Sequence, residues 1–390
     1  MSHGPFSLSP DLKRLRDEGY FVQIKGGFLV MREVPYVDAR KQVRMGSLIS
    51  NLTMAGDVTR KPDTHVVYFD GDYPCKPDGT AIQTISKSSG AFNLGHGLSA
   101  THDFSSKPES GYSDYYHKMT TYAGIISGPA AVIRPGVSPR VFRVPEEDEH
   151  CPFNYTETAS DRAGIGALSD LLVAENVAIV GLGGTGSYVL DSVAKTPVKE
   201  IRLFDGDEFL QHNAFRAPGA PSIDELRNVF KKVDYFKGVY SKMHRGIVAF
   251  ESPLGPGNLD LLDGVTFAFL CMGAGEAKRC VVEKLESIGA SFIDVGMGLE
   301  LVDGSLGGIL RVTASTPDNR DYANSRIPFT GGNDDLYASN IQVADLNAFN
   351  AVLAVVKWKK LRGFYRDLER ESHCTYTTDG NMLLNGDSLA

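Results

Sequence analysis

The sequence predicts an α/β protein, with a doubly wound, mostly parallel sheet in the C-terminal part and a separate β-rich α+β domain at the N-terminus. Three observations carry that expectation. The apolar run Val177-Ala178-Ile179-Val180 leads directly into the glycine turn Gly181-Leu182-Gly183-Gly184-Thr185-Gly186. Strand-like and helix-like stretches then alternate, as they do where parallel strands are linked by crossover helices. Before about residue 150 the pattern changes to short apolar runs, such as Tyr20-Phe21-Val22-Gln23-Ile24 and Phe28-Leu29-Val30-Met31, broken by glycine, proline and polar turns.

A chain of 390 residues is long enough for two domains, since single cores seldom grow past roughly 250 to 300 residues. The expected division is 1–150 and 151–390. The boundary is placed in Pro145-Glu146-Glu147-Asp148-Glu149-His150, which is acidic, proline-led and poor in apolar residues, the composition of an exposed connection. Beyond it the alternation predicts a helix over 163–173, a strand over 177–180, a helix over 185–195 and a strand over 200–204. A long helix over 223–243 then leads to strands over 247–250 and 265–270, a helix over 276–287 and a strand over 291–295. The apolar positions between 340 and 361 mark a late packing helix. No internal repeat or low-complexity tract interrupts the series.

Composition narrows the function classes. Acidic residues number 48 against 40 basic ones, for a formal net charge of -8, and no dense basic block occurs, which argues against a nucleic-acid surface. The cysteines Cys75, Cys151, Cys271, Cys280 and Cys374 are odd in number and widely spaced, so neither a disulfide framework nor a paired-thiolate zinc site is suggested. The start lacks the charged-then-apolar pattern of a signal peptide, and no apolar run approaches the ~20 residues of a membrane span. A soluble cytoplasmic protein is the expectation.

The glycine turn lies between a strand and a helix, where it can bind a nucleotide. Gly181 suits the tight turn, Gly183 lets backbone approach phosphate, and Gly186 permits close helix-on-strand packing. Gly184 lies within the same turn and is expected, with the other three glycines, to contact the nucleotide. The helix that follows points its free N–H groups and positive dipole end at an anion. Asp205 ends the next strand, where its carboxylate can accept from both ribose hydroxyls. Asp207 is a plausible metal-facing carboxylate, with a solvated loop acid as the plain alternative. The continuation, Asn213 and then Arg216, has no use in a dinucleotide dehydrogenase and points to ATP.

The glycine turn, Asp205, Asn213, Arg216 and Lys232 together resemble the ThiF, MoeB and ubiquitin-activating enzyme family across roughly residues 160 to 365. The resemblance implies a Rossmann-like domain that uses ATP and Mg2+ to adenylate the C-terminal glycine of a ubiquitin-like protein. It also implies that Asn213, Arg216 and Lys232 hold the triphosphate. Guanidinium and ammonium groups suit that task, because attack on the α-phosphate develops charge on phosphate oxygens and on departing pyrophosphate. Arg162 stands where family members carry an arginine that reaches the partner protomer's ATP across a homodimer; a surface arginine at a helix start is the alternative. The N-terminal domain is similar to one fused to ThiF-like domains in bacterial operons that also encode ubiquitin-like and conjugating proteins. That implies a ubiquitin-like protein or a ubiquitin-conjugating-like enzyme as its partner.

The chain also departs from the family pattern. Where two aspartates are expected after the fourth strand, the sequence reads Leu270-Cys271-Met272-Gly273-Ala274-Gly275-Glu276. Asp207 or Asp294 is left to supply the metal carboxylate. No Cys-x-x-Cys pair is present, and no cysteine lies between Thr313 and Leu336. Cys271 and Cys280 read as buried core thiols, and Cys374 as a tail residue beside a histidine able to lower its pKa. His102, Asp103 and His117 match no trusted metal or triad spacing. Two readings compete with an activating enzyme: a nucleotide-binding pseudoenzyme scaffold, which the missing aspartates allow, and an NAD-dependent oxidoreductase, favoured only by the glycine turn and Asp205.

Overall fold

The computed structural model describes residues 5–143, 151–330 and 341–386. The chain divides into two compact units, Met1–Asp170 and Leu171–Ala390. The acidic connection at 145–150 lies outside the described residues.

The first unit is built on a six-stranded sheet in the order Phe21–Lys25, Phe28–Val37, Val43–Asn51, Val66–Asp70, Leu98–Ser105, Ser86–Gly95, with every neighbouring pair antiparallel. The helix Tyr115–Ile133 covers one face. Its start is capped by Asp114, whose carboxylate accepts from the His117 N–H at 2.7 Å, a contact that satisfies an otherwise orphaned donor. Tyr115, Met119, Tyr122 and Ile126 recur at helical spacing and pack on Leu29, Met31, Leu48, Phe69 and Phe104 of the strands. Lys118 lies on the same buried helix and is itself fully buried. Its ammonium donates to Ser50 Oγ at 2.9 Å and to the Thr64 carbonyl at 2.8 Å.

The helix expected over 163–173 is instead a series of short turns, Ala159–Arg162, Gly166–Ser169 and Asp170–Leu172. Gly164 takes a φ of +70°, which a continuing helix does not allow. The Asp161 carboxylate fastens this segment to the first unit, accepting from the Gly27 N–H and pairing with His96 Nε2. Tertiary anchoring has overridden the local helical pattern.

The second unit is mixed α/β. Its eight-stranded sheet runs Ile247–Phe250, Glu200–Phe204, Asn176–Val180, Phe267–Leu270, Ser291–Val302, Ser305–Ser315, His373–Thr377, Met382–Asn385. The first five strands are parallel and the remaining pairings antiparallel. Val177 and Ile179 enter a core with Val189 and Leu190, with Val233 and Phe236, and with Ala351, Ala354 and Trp358, contributed by the helices Gly184–Val193, Lys232–Tyr240 and Ala344–Leu361. Ala178 and Val180 enter a second core with Val281, Val282 and Leu285 of the helix Glu276–Ser287. Burial on both faces explains why this strand reads as a continuous apolar run rather than an alternating one. The strand order reverses at Asn176–Val180, which has Glu200–Phe204 on one side and Phe267–Leu270 on the other. In parallel sheets such a reversal opens a crevice beyond the carboxyl ends of the strands.

Several expected elements differ in extent. The helix expected over 223–243 is two helices, Ile223–Arg227 and Lys232–Tyr240. Val229 between them takes a φ of 48°, and Lys231 forms an isolated bridge with Glu208. The strand expected to end at 295 continues to Val302, turns at Asp303-Gly304 and returns as Ser305–Ser315. Both turn residues have positive φ, the geometry that an Asp-Gly pair favours in a two-residue hairpin. The late helix begins at Ala344; residue 340, where it was expected to begin, lies outside the described residues. Among the described residues, no helix is long and apolar enough to cross a membrane.

Burial pushes the Lys118 ammonium down to about 7, whereas in the unfolded chain it stays protonated to much higher pH. The unfolded state therefore binds the extra proton between these two values, and stability rises with pH across that window. Lys118→Met removes this contribution. Thermal unfolding of the full chain at pH 7 and pH 10 should show wild type gaining on the variant as pH rises. A constant difference between the two proteins would show that Lys118 has an ordinary pKa.

Candidate functional site

The site grows from the turn between Asn176–Val180 and Gly184–Val193, where each glycine meets a different constraint. Gly181 has a φ of +89°, and a Cβ there would lie 2.5 Å from the Cys271 carbonyl oxygen. A Cβ on Gly186 would lie 1.9 Å from the Gly181 carbonyl oxygen, and one on Gly184 would lie 2.0 Å from Asn347 Nδ2. Gly183 differs from all three, since a Cβ on it would meet nothing within 4 Å. It also stands at the N-cap of the helix, so the open space lies against the free N–H groups and positive dipole end. An anion can approach the backbone there.

Asp205, at the tip of Glu200–Phe204, clamps this turn. One carboxylate oxygen accepts from the Leu182 N–H at 2.7 Å and the other from the Asp207 N–H at 2.8 Å. Lys232 Nζ approaches Asp205 at 3.7 Å and bonds Asp207 at 2.6 Å. That hydrogen bond holds the Asp207 carboxyl below its usual range, although 76% of the side chain remains exposed. Lys232 itself is buried, unlike a freely solvated helix lysine.

Asn213 is buried as well, and its Oδ1 accepts from the Leu210 N–H at 2.9 Å. This bond shapes the loop that carries Arg216. The Arg216 Nε is buried without a hydrogen-bond partner, and the guanidinium enters no ion pair among the described residues. Asp207, Asn213, Arg216, Lys231 and Lys232 all line one cavity of about 420 Å3. Of its cations, Lys232 pairs with Asp207 and Lys231 donates to the Gly206 carbonyl at 3.0 Å, whereas the Arg216 Nε has no partner among the described residues.

The remaining sequence candidates fall elsewhere. Asp294 is fully buried and bonds Lys278 Nζ at 2.7 Å and Arg311 at 2.6 Å, one cation on each oxygen. It is the shared counter-ion of two basic residues, with each carboxylate oxygen already engaged by one of them. Asp207 is the exposed carboxylate that remains. Mg2+ is ordinarily held by one or two carboxylates together with substrate phosphates and water, so this residue set fits the ion. No group of three or more metal-ligating side chains occurs among the described residues. Arg162 belongs to the first unit and pairs with Asp63 at 3.1 Å.

Cys271 and Cys280 are partly rather than fully buried, and Cys75 is the buried thiol. Burial, with Glu371 nearby, pushes the Cys374 thiol up to about 11, opposite to the expected lowering by His373. His102 bonds Ser89 Oγ at 2.8 Å, Asp103 bonds Lys87 at 2.6 Å, and His117 belongs to the helix Tyr115–Ile133. These three residues form no common site. The residue that sequence reasoning missed is Asn347, buried in the late helix beside Gly184. Its signal in the sequence was weak, because Asp345 and a second amide, Asn350, stand in the same helix start.

A sequence family described as a domain of unknown function, DUF6791, matches residues 10–158. No curated protein matches the chain. Among solved structures, the chain is similar to selenomethionine PaaA at 18% identity, covering 58% of this chain and 68% of that one with a TM-score of 0.45. It is also similar to E. coli MccB with MccA-N7isoASN, at 16% identity over 60% and 72% of the two chains with a TM-score of 0.45. For E. coli MccB with ATP the values are 17% identity, 57%, 67% and 0.41. Likenesses of this depth carry no argument about chemistry.

The glycine geometry predicts losses of different size for two substitutions. Gly183→Val places its Cβ in open space and should cost at most about 1 kcal/mol, the scale of an N-cap change. Gly186→Val drives its Cβ into the Gly181 carbonyl and should cost about 3 kcal/mol or more, as overpacking with backbone displacement does. Chemical denaturation of both variants checks the ranking, and equal losses would contradict it.

Proposed function

We propose that the second unit binds ATP at the glycine turn and adenylates the C-terminal glycine of a ubiquitin-like protein. The observation that carries this reading is Arg216, a guanidinium without a counter-ion among the described residues, in the cavity it shares with Lys232 and with Gly206 and Asp207 beyond the tip of Glu200–Phe204. An unpaired buried donor is costly, and a phosphate oxygen satisfies it with a charge-assisted bond.

In the proposed reaction, a carboxylate oxygen of the terminal glycine attacks the α-phosphorus of ATP. A new oxygen–phosphorus bond forms as the bond to the bridging β-phosphate oxygen breaks, giving the acyl adenylate and pyrophosphate. The free N–H groups near Gly183 bind phosphate, while Arg216 and Lys232 take up the charge that develops on the phosphate oxygens and the departing pyrophosphate. Asn213 holds the loop that presents Arg216. Mg2+, carried by Asp207 and the phosphates, would neutralise part of the triphosphate charge. Asp205, tied to the Leu182 and Asp207 N–H groups, retains acceptor capacity for ribose hydroxyls, since each carboxylate oxygen has a second lone pair.

The same reading assigns the unit matching DUF6791 to partner binding, with the ubiquitin-like protein or a ubiquitin-conjugating-like enzyme as its ligand. It places Arg162 at a partner protomer's ATP in a homodimer. No cysteine of this chain is required, because an acyl adenylate is already activated for attack by a thiol or hydroxyl of a partner. The raised Cys374 pKa supports that view, since a thiol with a pKa of about 11 is almost wholly protonated at neutral pH.

A nucleotide-binding scaffold without chemistry is the second reading, favoured by the consumption of Asp294 as a counter-ion. Exchange of labelled pyrophosphate into ATP, measured with the ubiquitin-like partner present, separates the two. Wild type should exchange, Arg216→Ala should lower the rate on the order of a hundredfold, and Cys374→Ala should leave it unchanged. ATP binding without exchange would establish the scaffold, and Arg216→Ala within a few fold of wild type would remove Arg216 from the site.

A further inference from the structure

Asn347 lies far along the chain from every residue of the nucleotide site, yet its side chain touches two parts of it. Its Oδ1 accepts from Thr185 Oγ1 at 3.1 Å, and its Nδ2 donates to the Arg216 carbonyl at 3.4 Å. The residue is fully buried in the first turn of Ala344–Leu361. Its amide packs so closely on Gly184 that any Cβ at that position would overlap it. Glycine at 184 therefore makes room for Asn347 rather than for phosphate, and Gly183 alone keeps the open approach.

We infer that Asn347 is a positioning residue that sets the phosphate-facing helix start and the Arg216 loop at one fixed spacing. The inference rests on the ATP reading of this site. An anion held between the N–H groups of the turn and the Arg216 guanidinium needs both at the right separation. The two belong to different crossover segments with no covalent reason to stay in register. A planar amide with an acceptor toward one and a donor toward the other fixes that separation. Because the amide is buried, losing it leaves the Arg216 carbonyl and Thr185 hydroxyl without their partner.

The test is calorimetric titration of ATP into the full chain as wild type, Asn347→Ala, Arg216→Ala and the double variant. Asn347→Ala should weaken ATP by about tenfold, the scale of one or two lost buried hydrogen bonds. The double variant should bind within about twofold of Arg216→Ala, because residues acting as one unit give losses that do not multiply. A merely structural Asn347 would give losses that do multiply. Either that result or wild-type affinity in Asn347→Ala overturns the inference. Failure of wild type to take up ATP overturns the nucleotide reading instead, so the first titration tells the two failures apart. Where Asn347→Ala does not fold, Asn347→Asp serves, since it keeps the acceptor for Thr185 and loses the donor to Arg216; unchanged ATP affinity in it overturns the inference equally.

Discussion

The Asp205 carboxylate joins the tip of one strand to the turn that follows its neighbour, through the Leu182 N–H on one oxygen and the Asp207 N–H on the other. Lys232 closes the arrangement from a third segment by approaching Asp205 and bonding Asp207. Charge-assisted bonds to backbone N–H groups are among the stronger ones available. With these in place, Gly183 keeps its open approach, Asp207 is turned toward solvent, and the loop to Arg216 leaves the sheet in a defined direction.

Around that clamp, the parallel half of the sheet supplies rigidity and the loops supply chemistry. Both faces of Asn176–Val180 are buried under helices, so the start of the glycine turn has little freedom to move. Elements buried on both sides sit at the high end of local stability, whereas connections at the strand ends carry the groups that meet ligands. The Asp294 cluster shows the opposite use of charge. There a carboxylate within the sheet is neutralised by Lys278 and Arg311, as a buried charge must be to avoid an uncompensated desolvation cost.

The first unit illustrates how far local pattern reaches. Its short apolar runs were legible as strands because alternation and turn residues are properties of neighbouring positions. The segment from Ala159 to Leu172 was not legible, since its conformation follows from Asp161 meeting Gly27 and His96, which stand 134 and 65 residues away. Lys118 is similar. A lysine in a helix reads as solvated, and only the packing of the helix on the sheet encloses it.

By itself the sequence determined the glycine turn between a strand and a helix, the acid at the next strand tip, and the placing of Asn213, Arg216 and Lys232 beyond it. These are short-range features, set by backbone conformation and by the periodicity of apolar residues. Tertiary structure decided which carboxylate stays exposed, which cysteine is buried, where the 223–243 segment breaks, and which glycine faces open space. It also brought Asn347 to Thr185 across 162 positions of chain. Each of those outcomes depends on contacts between distant segments, and a side chain's charge state and free space are settled only when the partner segment arrives.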